Sequence, residues 1–212
     1  MLGGANAALV GNEILQFTIA ELIAPGRYRL SRLLRGQRAT EHEVVEHSAG
    51  SRFVLLDPAR QPRPTFSVSR IGMPIAWRTA PIPQGPAGDL SDEVLFTNSG
   101  RGLRPFSPVQ LHAVRDEATG DVRLSWTRRS RLGGDSWVAE VPLGEEVEDY
   151  AVIILNGMTT VRSIRVGGPE ALYTAAQQTA DFGAAPVSLT WTVAQVSRVY
   201  GAGVPATITS TP

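Results

Sequence analysis

The chain has 212 residues, with 20 basic side chains that are all arginine, 20 acidic ones, three histidines and no cysteine. Without lysine there is no Walker-type phosphate lysine, Schiff-base lysine or pyridoxal-phosphate anchor. Without cysteine there is no thiol nucleophile, CxxC pair, Fe–S cluster, disulfide or cysteine-ligated zinc. Zero net charge argues against general nucleic-acid binding, and no apolar run approaches the roughly 20 residues needed to span a membrane. The opening segment MLGGANAALVGNE lacks a basic n-region, so no secretory signal is expected there. With 21 glycines and 15 prolines, many turns and few long helices are expected.

The first half reads as short strands. Residues 13–17 form a short apolar run entered through Gly11 and Asn12. Pro25 and Gly26 signal a turn joining 19–23 to 27–34. In that second run Tyr28 and Leu30 alternate with Arg27, Arg29 and Ser31, the period of a half-buried strand. Residues 40–47 (TEHEVVEH) predict a helical turn, with Thr40 as N-cap and Glu43 three residues later. Strands are expected at 52–57, 66–69, 75–79 and 93–97. Pro/Gly-rich breaks at 81–88 and 98–105 set the exit linker, about 81–105, and the domain boundary at 105.

A β-sandwich pattern follows. Residues 109–114 read as a strand, and 122–127 alternate with Val122, Leu124 and Trp126 inward. A loop falls at 132–137. A strand at 150–155 runs into Asn156 and Gly157, a strong hairpin signal, with its partner at 160–166. Residues 173–182 predict a helical turn, 187–199 a long strand, 201–203 a turn and 205–209 a last strand. Turns every 8–12 residues over about 100 residues are the mark of a sandwich. The expected fold class is all-β, in two β-rich domains, 1–105 and 106–212.

Several constellations of charged and aromatic residues are candidates for chemistry. Arg27, Arg29, Arg32, Arg35 and Arg38 fall in a window without an acid. Guanidinium groups bind phosphate or carboxylate bidentately, so this is a candidate surface for an anionic ligand such as a surface polysaccharide. A solvated strand face is the simpler expectation. His42 and His47 are five apart, whereas helical metal ligands want i, i+4, so no metal is expected. Arg123, Arg128, Arg129 and Arg131 are followed by Glu140, Glu145, Glu146, Glu148 and Asp149. Charge pairing is the simpler account there than a glycosidase acid and base. His112 is expected on a polar strand face, with no GxSxG elbow to serve. Gly133 and Gly134 are too short a run for a phosphate cradle. Trp77, Trp137 and Tyr200 would stack on sugars if exposed, while Trp126 and Trp191 are expected in the core.

Residues 24–41 (APGRYRLSRLLRGQRATE), followed by HSAGSRFVLLD, resemble the C-terminal region of large tail-tip or baseplate proteins of long-tailed phages. Most of all they resemble the baseplate megatron or "host specificity" protein of gene transfer agents. That family's segment is of the type GRYRLSxLLRGxRGTE, and Ala39 stands where it usually has glycine. Residues 103–111, 124–137 and 173–183 match the same region in the same order. Residues 106–211 also resemble a fibronectin type III module, Trp126 matching its buried strand-B tryptophan and Trp191 standing where tyrosine is common. The resemblance implies a non-enzymatic virion structural protein of a tail tip or baseplate, made in the host cytoplasm, with a role in host attachment or hub assembly. Expected partners are other tail proteins in a symmetric multi-subunit assembly and a host surface polysaccharide or envelope receptor. No cofactor and no nucleic acid are expected. The candidate contact residues are Arg27, Arg29, Arg32, Arg35, Arg38, Arg128, Arg129, Arg131 and Trp137. The alternative is a carbohydrate-binding accessory module of a secreted polysaccharide-degrading enzyme.

Overall fold

The computed structural model describes residues 5–57, 64–80, 91–133 and 140–212. The chain forms two compact units, residues 1–62 with 105–212, and residues 63–104. The segment 63–104 therefore stands as its own unit rather than joining 1–62 as the division at 105 expects.

In the first unit, strands β1 (Ala7–Val10), β2 (Glu13–Ala24), β3 (Arg27–Gln37) and β4 (Phe53–Leu55) make one sheet in the order β3-β2-β1-β4. All three pairings are antiparallel. β1 reaches only residues 13–16 of β2, so the rest of the β2–β3 hairpin is a two-stranded ribbon. Where β1 lies alongside, Ala8, Leu15 and Phe17 are buried, with Val10 and Leu30 packed against them.

The same unit holds the sandwich. β7 (Val109–Arg115), β8 (Val122–Thr127) and β11 (Glu170–Tyr173) make a sheet in the order β11-β8-β7. β9 (Tyr150–Asn156), β10 (Thr159–Val166) and β12 (Leu189–Ser197) make a second in the order β10-β9-β12, with β13 (Gly201–Ala202) and β14 (Ala206–Ser210) both pairing β12. This is the strand order of a fibronectin type III sandwich. Alternation drives it: β8 buries Val122, Leu124 and Trp126, β9 buries Tyr150, Val152 and Ile154, and β12 buries Leu189, Trp191 and Val193. With Ala171 and Tyr173 of β11 these side chains form one core between the sheets. Trp126 lies edge-on to Tyr150, with ring centres 5.1 Å apart, and 6.2 Å from Trp191. The single α-helix among the described residues, α1 (Ala175–Phe182), opens on a capping box. Thr174 Oγ1 accepts from Gln177 N at 3.2 Å, and the Gln177 side chain accepts from Thr174 N at 3.0 Å.

The second unit contains the hairpin β5 (Pro74–Trp77) with β6 (Val94–Thr97). Phe66 packs edge-on against Trp77 at 6.1 Å.

Local expectations fail where side chains find distant partners. Residues 40–47 make only a 3₁₀ turn at Glu41–Glu43, and Thr40 does not cap it. Its hydroxyl instead accepts from Ile14 N at 3.0 Å and donates to Gln37 O at 2.7 Å. Residues 66–69 are not a strand: Ser67 caps a 3₁₀ turn, Val68–Arg70, by accepting from Ser69 N. β2 is one strand, not two.

Candidate interaction surface

The base of the β2–β3 hairpin is held by an acid the sequence reading passed over. Glu13, the first residue of β2, is fully buried. Arg35 of β3 meets it in a bidentate pair, Nε donating to Oε1 at 2.7 Å and Nη2 to Oε2 at 2.5 Å. Gly36 N donates to Oε1 at 2.9 Å, and His47 Nε2 lies 2.7 Å from Oε2. Arg35 Nη2 also donates to Val45 O at 2.7 Å. These contacts draw residues 35, 36 and 47 onto one carboxylate and tie residue 45 to its arginine partner. The Arg35 guanidinium, helped by the Gly36 N–H and His47 and opposed by burial, holds the Glu13 carboxyl at about 2, from an ordinary 4.5. Gly36 has φ +61, and a Cβ there would stand 2.9 Å from Val44 Cγ2 and 3.0 Å from Glu41 Cα, so only glycine fits beside the buried acid. The signal for Glu13 was present in sequence as a lone acid inside an apolar run.

Arg35 is thus a structural residue, while its neighbours in the window differ. Arg27, Arg29, Arg32 and Arg38 are exposed. Arg29 has a loose partner in Glu21, at 3.6 Å. No residue from 18 to 34 is buried. Arg32, Arg38 and Ala39 have φ of +54, +54 and +60. Ala39 therefore adopts the left-handed conformation that glycine favours, at the position where the resemblance expects glycine.

The second arginine cluster is engaged internally. Arg131 Nε meets Glu145 at 2.9 Å, and Arg129 Nη2 meets Glu41 at 2.6 Å, with the Arg129 guanidinium 5.1 Å from the Phe106 ring centre. Arg128 donates to the carbonyls of Pro142 and Val141 at 2.8 and 3.0 Å and lies 3.9 Å from Glu148. These groups, with Gly133, Ser130 and Val141, line a hollow of about 350 Å³. Trp137 lies outside the described residues.

Three further acids are engaged as well. Asp149 pairs with Arg165, Asp181 with Arg162 and the Tyr173 hydroxyl, and Glu146 accepts from Arg198 N. The carboxyls of Asp149 and Asp181 are lowered mainly by their arginines, and that of Glu146 by backbone N–H groups. A general acid at neutral pH needs a shift in the other direction. Among the described residues, no group of three or more His, Asp or Glu side chains could hold a metal ion. His112 is exposed on β7 and His42 lies 3.5 Å from Glu43. No helix among the described residues is long and apolar enough to cross a membrane.

Among solved structures, the chain is similar to one titled FN3tt mut, at 15% identity and a TM-score of 0.34, over 51% of this chain and 96% of that one. It is similar to the FN5 domain of Drosophila Lar at 18% identity and 0.29, over 50% and 94%. It is also similar to domains d3–d4 of the rat CD45 extracellular region at 9% and 0.35, over 92% and 94%. No curated protein matches it. A family model described as Rcc01698-like, C-terminal, matches residues 1–54. The matched stretch is the one that builds β1 to β3 and the Glu13–Arg35 anchor.

Proposed function

We propose that this chain is a non-catalytic structural module of a phage-like tail tip or baseplate, serving host-cell attachment or hub assembly in the virion. One observation carries the reading. The family match at 1–54, a family name tied to gene transfer agent proteins, covers the segment 24–41 that carries the megatron-type string. In the fold that segment becomes the exposed arm of a hairpin whose base is locked by an ion pair between Arg35 and the buried Glu13. A rigid scaffold presenting an exposed arm suits attachment or assembly rather than turnover. The partners in this reading are neighbouring tail proteins and the host envelope, in a symmetric assembly. Within it, the contact residues are Arg27, Arg29, Arg32 and Arg38, whereas Arg35, Arg128, Arg129 and Arg131 hold the module together.

A sugar-binding accessory module would need an open aromatic platform, and Trp77, 39% exposed, has Phe66 edge-on against its ring. Particles made without residues 1–212 test the tail reading. Adsorption or assembly is expected to fail, read by host-binding assays and by electron microscopy of the tails. Particles that assemble and adsorb normally overturn it.

A further inference from the structure

We propose that the hollow between the β2–β3 ribbon and β4 binds one fatty acid, its chain against the apolar walls and its carboxylate at the arginines of the rim. The hollow holds about 470 Å³ and is lined by Phe17, Ala20, Tyr28, Leu30, Phe53 and Leu55. Small-molecule sites span about 300–1,000 Å³ and have mostly apolar walls with a few polar groups to orient the ligand. Among these six side chains the Tyr28 hydroxyl is the one polar group, and none is acidic.

Small side chains make the room. In the row Leu55–Ala8–Leu15 the middle strand contributes a single methyl group. On the ribbon, Ala20 stands opposite Leu30, and Leu30 reaches back to pack with Phe17. The rim is basic. Arg27 lies between Gly26, which also lines the hollow, and Tyr28. Arg32, two residues from Leu30, falls on the same side of β3 as Leu30 and Tyr28. Both arginines are exposed, and neither has an ion-pair partner among the described residues. Glu21 faces the other side of the ribbon, opposite Arg29.

The walls and the rim together choose the occupant. A peptide or a polysaccharide in the hollow would bring hydrogen-bonding groups that these walls leave unanswered, at a cost. An alkyl chain brings none and gains by leaving water. A carboxylate at the mouth accepts from a guanidinium in charge-assisted hydrogen bonds, and the Tyr28 hydroxyl is a further donor. The site belongs to the first sheet whether or not the chain sits in a tail, so ligand titration and particle adsorption report separately.

The test is isothermal titration calorimetry of the full chain with decanoate below its micelle concentration, alongside hexanoate and decylammonium. Decanoate is expected to saturate at one per chain with a negative heat-capacity change. It should bind more tightly than hexanoate by about twofold or more per added methylene, complete burial being worth about fourfold. Decylammonium, with the same chain and the opposite charge, should bind more weakly. Arg27→Gln with Arg32→Gln should weaken decanoate by up to about fivefold per arginine and leave decylammonium no weaker. Ala20→Trp fills the hollow from an exposed strand position and should abolish decanoate binding with the melting curve kept. If that variant does not fold, the chain-length series and the arginine pair still decide. No saturable decanoate binding, equal affinity for hexanoate or decylammonium, or undiminished binding by folded Ala20→Trp overturns the proposal. So does self-association that Ala20→Trp removes, with no decanoate binding, since the occupant is then a second copy of the chain.

Discussion

Glu13 shows how a single carboxylate organises its surroundings. It accepts from Arg35, from Gly36 N and from His47, residues more than 20 positions away in sequence. Hydrogen bonds to a charged group contribute about 1.5–3 kcal/mol each, net of the bonds to water they replace, and Arg35, about one-third exposed, is partly screened and lies towards the low end. Glu13→Gln keeps the shape but removes the charge, so it is expected to cost on the order of 2 kcal/mol at neutral pH. The pH dependence follows from the lowered carboxyl. A group held at about 2 in the folded chain, against an ordinary 4.5, contributes stability that is complete above 4.5 and lost as pH falls towards 2. The gap between wild type and Glu13→Gln in urea unfolding should therefore close over that window. A gap that stays constant into acid would show that the charge of Glu13 is not what stabilises the sheet. Arg35 could be seen in sequence only as one member of an arginine window. Its role could not, because the partner lies on another strand and the turn at Pro25–Gly26 must form before the two meet.

At the scale of elements, close approach decides more than propensity. Gly203, just after β13, lies so near the entry to β7 that a Cβ would stand 2.6 Å from Pro105 O and 3.1 Å from Pro105 Cβ. Its N–H donates to Gln195 O at 2.9 Å, which keeps the segment from moving away. Gly203→Ala is thus expected to destabilise by about 1–3 kcal/mol, the usual cost of overpacking, read as a lowered Tm. An unchanged Tm would mean that the β13–β14 connection yields freely. The elements themselves were legible where alternation was strong: β8, β9 and β12 follow from runs such as VRLSW and LTWTV. β1 and β11 escaped notice. β1 has an Ala-rich run with no polar alternation, and β11 is a four-residue strand running directly into the cap of α1. α1 was visible as a helical turn, but not its anchorage. Gln178 is fully buried, donating to Gly120 O and Tyr173 O and accepting from Arg115, and only the folded sandwich brings those groups together.

For the molecule as a whole, the distribution of buried apolar side chains sets what can fold alone. The sandwich core joins eleven buried side chains from four strands, whereas the core of the first sheet joins Ala8, Leu15 and Phe17. Each large side chain fully buried stabilises by about 1.5–3 kcal/mol, so the sandwich carries most of the apolar stabilisation in this unit. The ion pair joining the two, Arg129 with Glu41, has both side chains about one-third or more exposed. Such pairs contribute at most about 1 kcal/mol. A fragment spanning Pro105–Pro212 is therefore expected to fold by itself and to melt cooperatively within a few degrees of the full chain. It should also keep the near-ultraviolet circular dichroism of the packed Trp126, Tyr150 and Trp191 rings. The fragment 1–62 should show no cooperative transition, since a three-residue core does not offset the entropy of ordering its strands. If the longer fragment lacks the aromatic signal while the full chain has it, the first sheet is part of the sandwich's own folding unit. The exposed ribbon would then be coupled to the core through more than Arg129, and its variants would have to be read as changes in the stability of the whole unit.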